Sequence, residues 1–220
     1  MNMIFLIALN GQGWMTNMEN LTLSTNVIST IFYSTVALIS IVMYNNANHT
    51  YDTNRSKIHS FKSFLYIYKI IQISTLFICI SSIWSDHHFL FKLFNNTDFF
   101  KYIGISLSGL GISLFALSRF SLGSNYSPCY DSYIPKTVNT SGIYSFVRHP
   151  IYSSNLLLML GIFISCGSLI IAVNGFILFI YYLISAFIEE RAILIKFPDY
   201  IKYKSKTGMF IPSIIKGMIQ

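Results

Sequence analysis

The stretch at residues 151–188, IYSSNLLLMLGIFISCGSLIIAVNGFILFIYYLISAFI, contains no charged residue. One membrane-crossing helix needs roughly 20 apolar residues, so this run is too long for one span and long enough for two short ones. The small residues Ser165-Cys166-Gly167-Ser168 divide it and predict a tight turn between helices over 151–165 and 169–187. A helical hairpin of this kind returns both its ends to the same face of the membrane. The first half is short enough to begin in protein rather than in lipid.

Outward from the hairpin, three more apolar segments are placed at 26–44, 70–84 and 102–118. The second extends back to Phe64 if Lys69 snorkels. The whole chain of 220 residues is 53% hydrophobic and 10% charged, against about 25% charged in soluble domains. Its 15 basic and 8 acidic residues are too few to coat a water-facing surface. Disorder is excluded, since that demands low hydrophobicity and high charge. The net charge of +7 is scattered around apolar runs rather than gathered on a face, so no nucleic-acid partner is expected. The prediction is an all-α polytopic membrane protein with about five transmembrane helices, the last two forming the hairpin.

Residues 1–25 form an extracytoplasmic N-terminal segment in this reading, lacking the basic region of a cleaved signal peptide. Residues 26–118 hold three spans, and 119–220 hold the hairpin core and a cytoplasmic tail. With the N-terminus outside, only Lys92 and Lys101 of the basic residues lie outside and the rest lie inside, the expected bias for a multi-pass protein. Gly104, Ser108 and Gly111 recur at i, i+4 and i+7 and predict a close helix contact. No internal repeat supports a transporter built of two halves. Cys79, Cys129 and Cys166 have neither zinc nor redox spacing, and Cys79 and Cys166 are expected to be small buried hydrophobes.

Ionisable groups at membrane depth mark function by default, and two clusters bracket the uncharged stretch. Ser141-Gly-Ile-Tyr-Ser-Phe-Val-Arg148-His149-Pro150-Ile-Tyr152 precedes it, and Glu189-Glu190-Arg191 follows it. The hairpin predicts that they meet. Pro150 suits the first turn of a helix and keeps His149 out of helical conformation, with Tyr152 one turn on. Adjacent carboxylates repel and diverge, so one meets Arg148 or His149 and the other stays available to a cationic ligand. His49, His59, His87 and His88 are expected to be loop residues without a role, and five histidines are too few for a membrane di-iron centre, so no metal site is expected.

The pattern Gly142-Ile-Tyr144-x-x-Val-Arg148-His149-Pro150-Ile-Tyr152, the uncharged hairpin, Glu189-Glu190, then Phe197, Tyr200 and Tyr203 up to Pro212, resembles the isoprenylcysteine carboxyl methyltransferase family and the related phospholipid N-methyltransferases. The resemblance runs from about Arg119 to Pro212 and includes 122–127 and 138–142. It implies an S-adenosylmethionine-dependent membrane methyltransferase with its site and C-terminus on the cytoplasmic side of a bacterial inner membrane or an endoplasmic reticulum. By that resemblance Lys136, Thr137, Val138 and Asn139 lie along the cofactor, Tyr144, His149 and Tyr152 contact it, and Glu189 holds its methionine or ribose portion. Arg148 and Glu190 shape the pocket and orient the acceptor as its catalytic pair. The acceptor implied is lipid-like or prenylated and enters from the bilayer among membrane lipids, with no obligate protein partner.

The chain departs from the pattern at Ile143, where a proline often stands, and at Ser153, Ser154 and Asn155, where a glycine is common. Ser185 and Ala186 occupy the turn before the glutamates, where isoprenylcysteine enzymes carry an arginine for the substrate carboxylate. The resemblance leads to a carboxyl O-methyltransferase of isoprenylcysteine type, with a phospholipid-type amine N-methyltransferase as the alternative. The missing arginine speaks for the amine, and the pattern from Tyr203 to Pro212 for the carboxylate. A membrane reductase of related fold would need more cations for a dinucleotide, and a non-enzymatic multispan protein would bind no cofactor.

Overall fold

Each apolar run becomes a helix. In the computed structural model, which describes residues 20–40, 42, 53–60, 62–84 and 91–213, α1 covers Asn20–Ser40, α2 Lys62–Trp84 and α3 Asp98–Leu122. The hairpin helices are α4, Pro150–Cys166, and α5, Leu169–Lys196, followed by a short α6, Tyr200–Lys206. Among the described residues, α1, α2, α3 and α5 are long and apolar enough to cross a membrane. The 17 residues of α4 span about 25 Å, short of a hydrocarbon core of roughly 30 Å. The protein is therefore a helical, multi-pass membrane protein. Residues 1–19, the end of the first expected span at 43–44, and His49, His87 and His88 lie outside the described residues.

The hairpin turns where its small residues predict. Gly167 ends α4 at φ 64°, the left-handed conformation that glycine adopts without steric cost. Its N–H donates to the Phe163 carbonyl at 2.7 Å, while Leu93 N–H donates to its own carbonyl at 2.7 Å. A Cβ at this position would lie 2.5 Å from the Phe94 carbonyl oxygen.

The small-residue stripe of α3 finds its partner in α4. A Cβ on Gly104 would lie 2.5 Å from the Gly161 carbonyl oxygen, and one on Gly161 would lie 2.6 Å from the Gly104 carbonyl oxygen. One on Gly111 would meet Leu158 N and Ser154 O, each at 2.9 Å. The first hairpin helix thus packs chiefly along α3, backbone against backbone.

Polar side chains pin the helices from within. The hydroxyls of Tyr33 and Ser165 lie 2.6 Å apart, Asn174 Nδ2 donates to Thr75 Oγ1 at 3.0 Å, and buried Lys101 donates to Asn26 Oδ1 at 2.6 Å. On α5, Ile171, Asn174, Leu178, Tyr182 and Ala186 face inward, whereas Val173, Phe176, Ile180, Ile184 and Phe187 are exposed. Apolar residues cover the outside because lipid offers no penalty there, so polar and small groups distinguish the inner face. Cys79 and Cys166 are buried as expected. The fold nevertheless brings their Sγ atoms to 3.2 Å, a proximity that their 87-residue separation hides.

One small sheet was not expected. Strand β1, Lys57–Ser60, lies between α1 and α2, and β2, Asp131–Tyr133, lies between α3 and α4. They pair antiparallel with Lys57 opposite Tyr133 and His59 opposite Ser132. Strands of three or four residues carry too little alternation to be read as a period.

Candidate active site

Pro150 opens α4, and His149 before it sits at φ −121°, ψ 62°, outside the helical region as a residue preceding proline prefers. The chain beyond α6 folds back over this junction. Gly208 accepts from Arg148 N–H at 2.8 Å and Met209 accepts from His149 N–H at 3.0 Å. Ser153 Oγ donates to the Phe210 carbonyl at 2.7 Å. Ser153, one of the departures from the family pattern, therefore ties the first turn of α4 to the tail.

The hairpin brings Glu189 and Glu190 back to this junction, and the two carboxylates diverge. Glu190 is fully buried. Arg148 Nε donates to its Oε1 at 2.6 Å, Lys204 Nζ lies 2.8 Å from Oε2, and His149 Nε2 lies 3.3 Å from Oε1. Arg148 Nη1 also donates to the carbonyls of Lys204, at 3.1 Å, and Thr207. A buried charge is tolerated only with such partners.

Glu189 turns the other way. Its Oε1 accepts from the Tyr152 hydroxyl at 2.7 Å and from Ser132 Oγ at 2.9 Å. His149 Nδ1 stands 3.7 Å from Oε2, so one imidazole spans both carboxylates. The ring of His149 is stacked with Tyr152 at 5.4 Å and 3° between planes. Tyr152 in turn stacks with Tyr182 at 4.7 Å and 9°.

Beside this array lies a cavity of about 500 Å³. Thr137, Val138, Asn139, Tyr144, Arg148, His149, Tyr152 and Glu189 all line it. Two of the residues singled out from the sequence do not. Glu190 lies behind the wall in its ion cluster, and the exposed Lys136 contributes a backbone N–H that donates to Asn125 Oδ1 at 2.8 Å. That bond and Asn139 Nδ2 to the Ser121 carbonyl, 2.9 Å, stitch the loop between α3 and α4 along the cavity. Glu189 is the carboxylate among the lining residues, and eight tyrosines line the cavity with it: Tyr68, Tyr126, Tyr130, Tyr133, Tyr144, Tyr152, Tyr200 and Tyr203. The Arg119 guanidinium, also lining, lies 3.7 Å from the ring centre of Tyr126.

Burial pushes the Tyr126 and Tyr203 hydroxyls up to about 12. Burial, reinforced by the Glu189 charge, pushes the Cys129 thiol up to about 12 as well. These loop and tail groups stay neutral near neutral pH, so they add no charge to the wall. Apolar side chains also line the cavity, Val36 and Ile39 from α1, Ile112 and Phe115 from α3, and Leu158 from α4. Ile39 and Phe120 both line it and are exposed on the helix surface, so the cavity opens onto the outer surface of the helices.

Several neighbours escaped the sequence reading. Lys204 and Ser132 carry no motif, and each reaches its glutamate only through the tail or the small sheet. His59, expected to be a loop residue without a role, instead places Nε2 at 3.8 Å from Glu189 Oε1 with its side chain 7% exposed. The tyrosine lining comes from five separate chain segments, so no local signal announced it.

Residues 100–198 match the family described as phospholipid methyltransferase, and the matched segment contains both the Arg148–Tyr152 motif and the glutamate pair. The resemblance noted from those residues is thereby borne out. Over 111 residues the chain is 32% identical to the cobalt-zinc-cadmium resistance protein CzcN of Cupriavidus metallidurans, covering 50% of each chain. The solved structure of the eukaryotic intramembrane Ras methyltransferase, isoprenylcysteine carboxyl methyltransferase, superimposes with a TM-score of 0.49 at 23% identity, over 67% of this chain and 52% of that one. The chain thus spans about half the length of each of these relatives.

Proposed function

Taking the phospholipid methyltransferase match at residues 100–198 as the premise, we propose that this protein is an S-adenosylmethionine-dependent methyltransferase acting on an amine-bearing, membrane-embedded amphiphile. One observation carries the reading: a single cavity is lined both by the Glu189–Tyr152–His149 array and by apolar residues of the helices, among them the surface-exposed Ile39 and Phe120.

The donor set suits the cofactor. Tyrosine faces accommodate a sulfonium through cation–π attraction. Glu189 accepts from ribose hydroxyls or an ammonium, Arg119 pairs with a carboxylate, and Thr137 and Asn139 offer hydrogen bonds along the wall. When bound, S-adenosylmethionine supplies a methyl group already activated on sulfur. The protein's part is alignment and exclusion of water. His149 and Tyr152, stacked and held by the two glutamates, form a rigid face of the cavity. Arg148 shapes the wall, its guanidinium held by Glu190 and two carbonyls, and Glu190 acts behind it as a positioning residue, fixing Arg148 and His149.

A cavity of this volume falls in the range for one drug-sized ligand. Only the head of a lipid acceptor fits beside a cofactor, and its chain stays in the bilayer. The charges favour an amine head. Arg148 is taken up by Glu190 and two carbonyls, and Arg119, which also lines the cavity, is the guanidinium proposed to meet the cofactor's own carboxylate. A carboxylate acceptor would face Glu189 and a wall of tyrosines without a cation. Carboxyl O-methylation of an isoprenylcysteine-type acceptor is the second reading, favoured by the Tyr203-to-Pro212 pattern. The concentration of basic residues at the site end supports a cytoplasmic cavity in this proposal.

The test is a titration of the detergent-purified full chain with S-adenosylmethionine and S-adenosylhomocysteine. A folded protein that binds neither refutes the proposal. Incubation with methyl-labelled donor and a membrane-lipid extract then separates the acceptors: a product stable to base is a methylamine, and a base-labile one is an ester.

A further inference from the structure

The connection between α1 and α2 is built into the site although nothing in the match at residues 100–198 includes it. Residues 53–60 cross to the loop after α3 and are held there at several points. Arg55 donates through Nη1 to the Asn125 carbonyl at 2.9 Å and through Nη2 to the Tyr126 carbonyl at 2.7 Å. Ile134 N–H donates to the Ser56 carbonyl at 2.9 Å, and Lys57 Nζ pairs with Asp131 Oδ1 at 2.7 Å. A two-stranded sheet is marginal alone, so these anchors keep β1 in place.

The register then does something specific. His59 lies directly opposite Ser132, and directly opposed residues share one face of a sheet. Both converge on one oxygen: Ser132 Oγ donates to Glu189 Oε1 at 2.9 Å, and His59 Nε2 stands 3.8 Å from the same atom. The imidazole is almost wholly buried, and Glu189 lines the cavity. A strap anchored through Arg55, Ser56 and Lys57 thus presents a buried histidine to the carboxylate of the cavity wall.

We propose that His59 is a positioning residue of the site, delivered by the strap to orient the Glu189 carboxylate toward the cavity. It acts through Glu189 alongside Ser132, Tyr152 and His149. The consequence for methyl transfer rests on the function proposed above; the orientation of Glu189 does not.

The experiment separates the two. The chain contains three glutamates, Glu19, Glu189 and Glu190, so protein labelled with 13C-carboxyl glutamate gives a simple infrared carboxylate spectrum. The Glu189 band is identified by its loss in Glu189→Gln. Full-length His59→Leu, which keeps bulk but no N–H, is compared with His59→Gln, which restores a donor. The expected result is a shifted Glu189 band in His59→Leu that returns in His59→Gln, at equal S-adenosylhomocysteine-free melting temperature. Turnover with a lipid extract should fall about tenfold in kcat with little change in acceptor KM, and recover in His59→Gln. An unmoved Glu189 band in His59→Leu overturns the proposal even if the protein is a methyltransferase. So does equal impairment of both variants with a lowered melting temperature, which would mark a structural role alone. A shifted and restored band in a protein that binds no S-adenosyl ligand upholds the positioning role and removes the methyltransferase reading.

Discussion

Along its last three turns α4 meets α3 through Gly161, Ser165 and the Gly104–Gly111 stripe, whereas at its first turn it meets α5, the tail and the loop through Arg148, His149 and Tyr152. The first contact is made by leaving side chains out. Backbones approach so closely that a Cβ at Gly104 or Gly161 would sit at 2.5–2.6 Å from a carbonyl oxygen. The second is made by charge, with Glu190 enclosed by Arg148, Lys204 and His149. One helix is thus held at one end by shape and at the other by charge. The shape contact should be sensitive to volume and indifferent to chemistry, and the charge contact the reverse.

The largest effect is expected from Glu190→Gln. It nearly conserves volume but leaves Arg148 and Lys204 without their shared anion, a loss of about 3–5 kcal/mol for a broken buried pair. Reversible unfolding in mixed micelles measures it, and binding of S-adenosylhomocysteine should disappear with it. A double Arg148→Met/Glu190→Leu variant should recover stability but not binding. A Glu190→Gln protein with unchanged stability would mean that the cluster is not the charge-held end described above.

Tyr152→Phe comes next. It removes the 2.7 Å hydrogen bond to Glu189, and bonds to charged groups contribute about 1.5–3 kcal/mol. S-adenosylhomocysteine affinity should fall roughly tenfold or more, with the fold retained by circular dichroism.

Gly161→Ala tests the other end. Its added methyl meets the Gly104 carbonyl at 2.6 Å, and overpacking costs about 1–3 kcal/mol. Here the thermal midpoint should drop while the affinity of the surviving folded protein for S-adenosylhomocysteine stays near that of the parent. Loss of affinity in proportion to stability would show that the two ends are not independent. The mildest substitution is Ser108→Ala, which removes a weak contact with the Leu158 carbonyl at 3.4 Å; about 0.6 kcal/mol is the average for such intramembrane bonds.

The thiols should show no effect at all. Cys129, raised to about 12 by burial and by Glu189, has almost no thiolate at pH 7.5, and the thiolate is the reactive form. Cys79 and Cys166 have 1% and 0% exposure. A maleimide should therefore label the folded protein slowly and the denatured protein at all three sites, as counted by mass spectrometry. Rapid labelling of Cys129 would place it in an open, polar surrounding instead.

The two ends of α4 were unequally legible. The glycine–serine stripe is a local pattern on one helix, and its meaning survives without knowing which helix answers it. The charged end is legible in part, because the hairpin implied that Arg148 and His149 would meet the glutamates. It hid Lys204, whose position depends on the tail folding back. It also hid His59, whose position depends on a four-residue strand that sets it opposite Ser132, far along the chain. From the sequence Glu190 reads as a residue of the pocket, and its place behind the wall follows from Arg148, Lys204 and His149 converging on it, which no spacing reveals.

What the sequence by itself determined is the hairpin. Thirty-eight consecutive uncharged residues interrupted by Gly167 can satisfy their backbone polar groups in lipid only as helices that turn there. It also determined that charge would bracket that hairpin, since ionised groups are excluded from hydrocarbon. Only the tertiary structure decided which groups share each carboxylate, that α4 lies chiefly on α3, and that residues 53–60 reach the site. Helix formation is driven by bonds within a few residues of one another, and the sequence displays them. The partners of Glu189 and Glu190 depend on how four separate segments close together in three dimensions, and that geometry exists only in the folded chain.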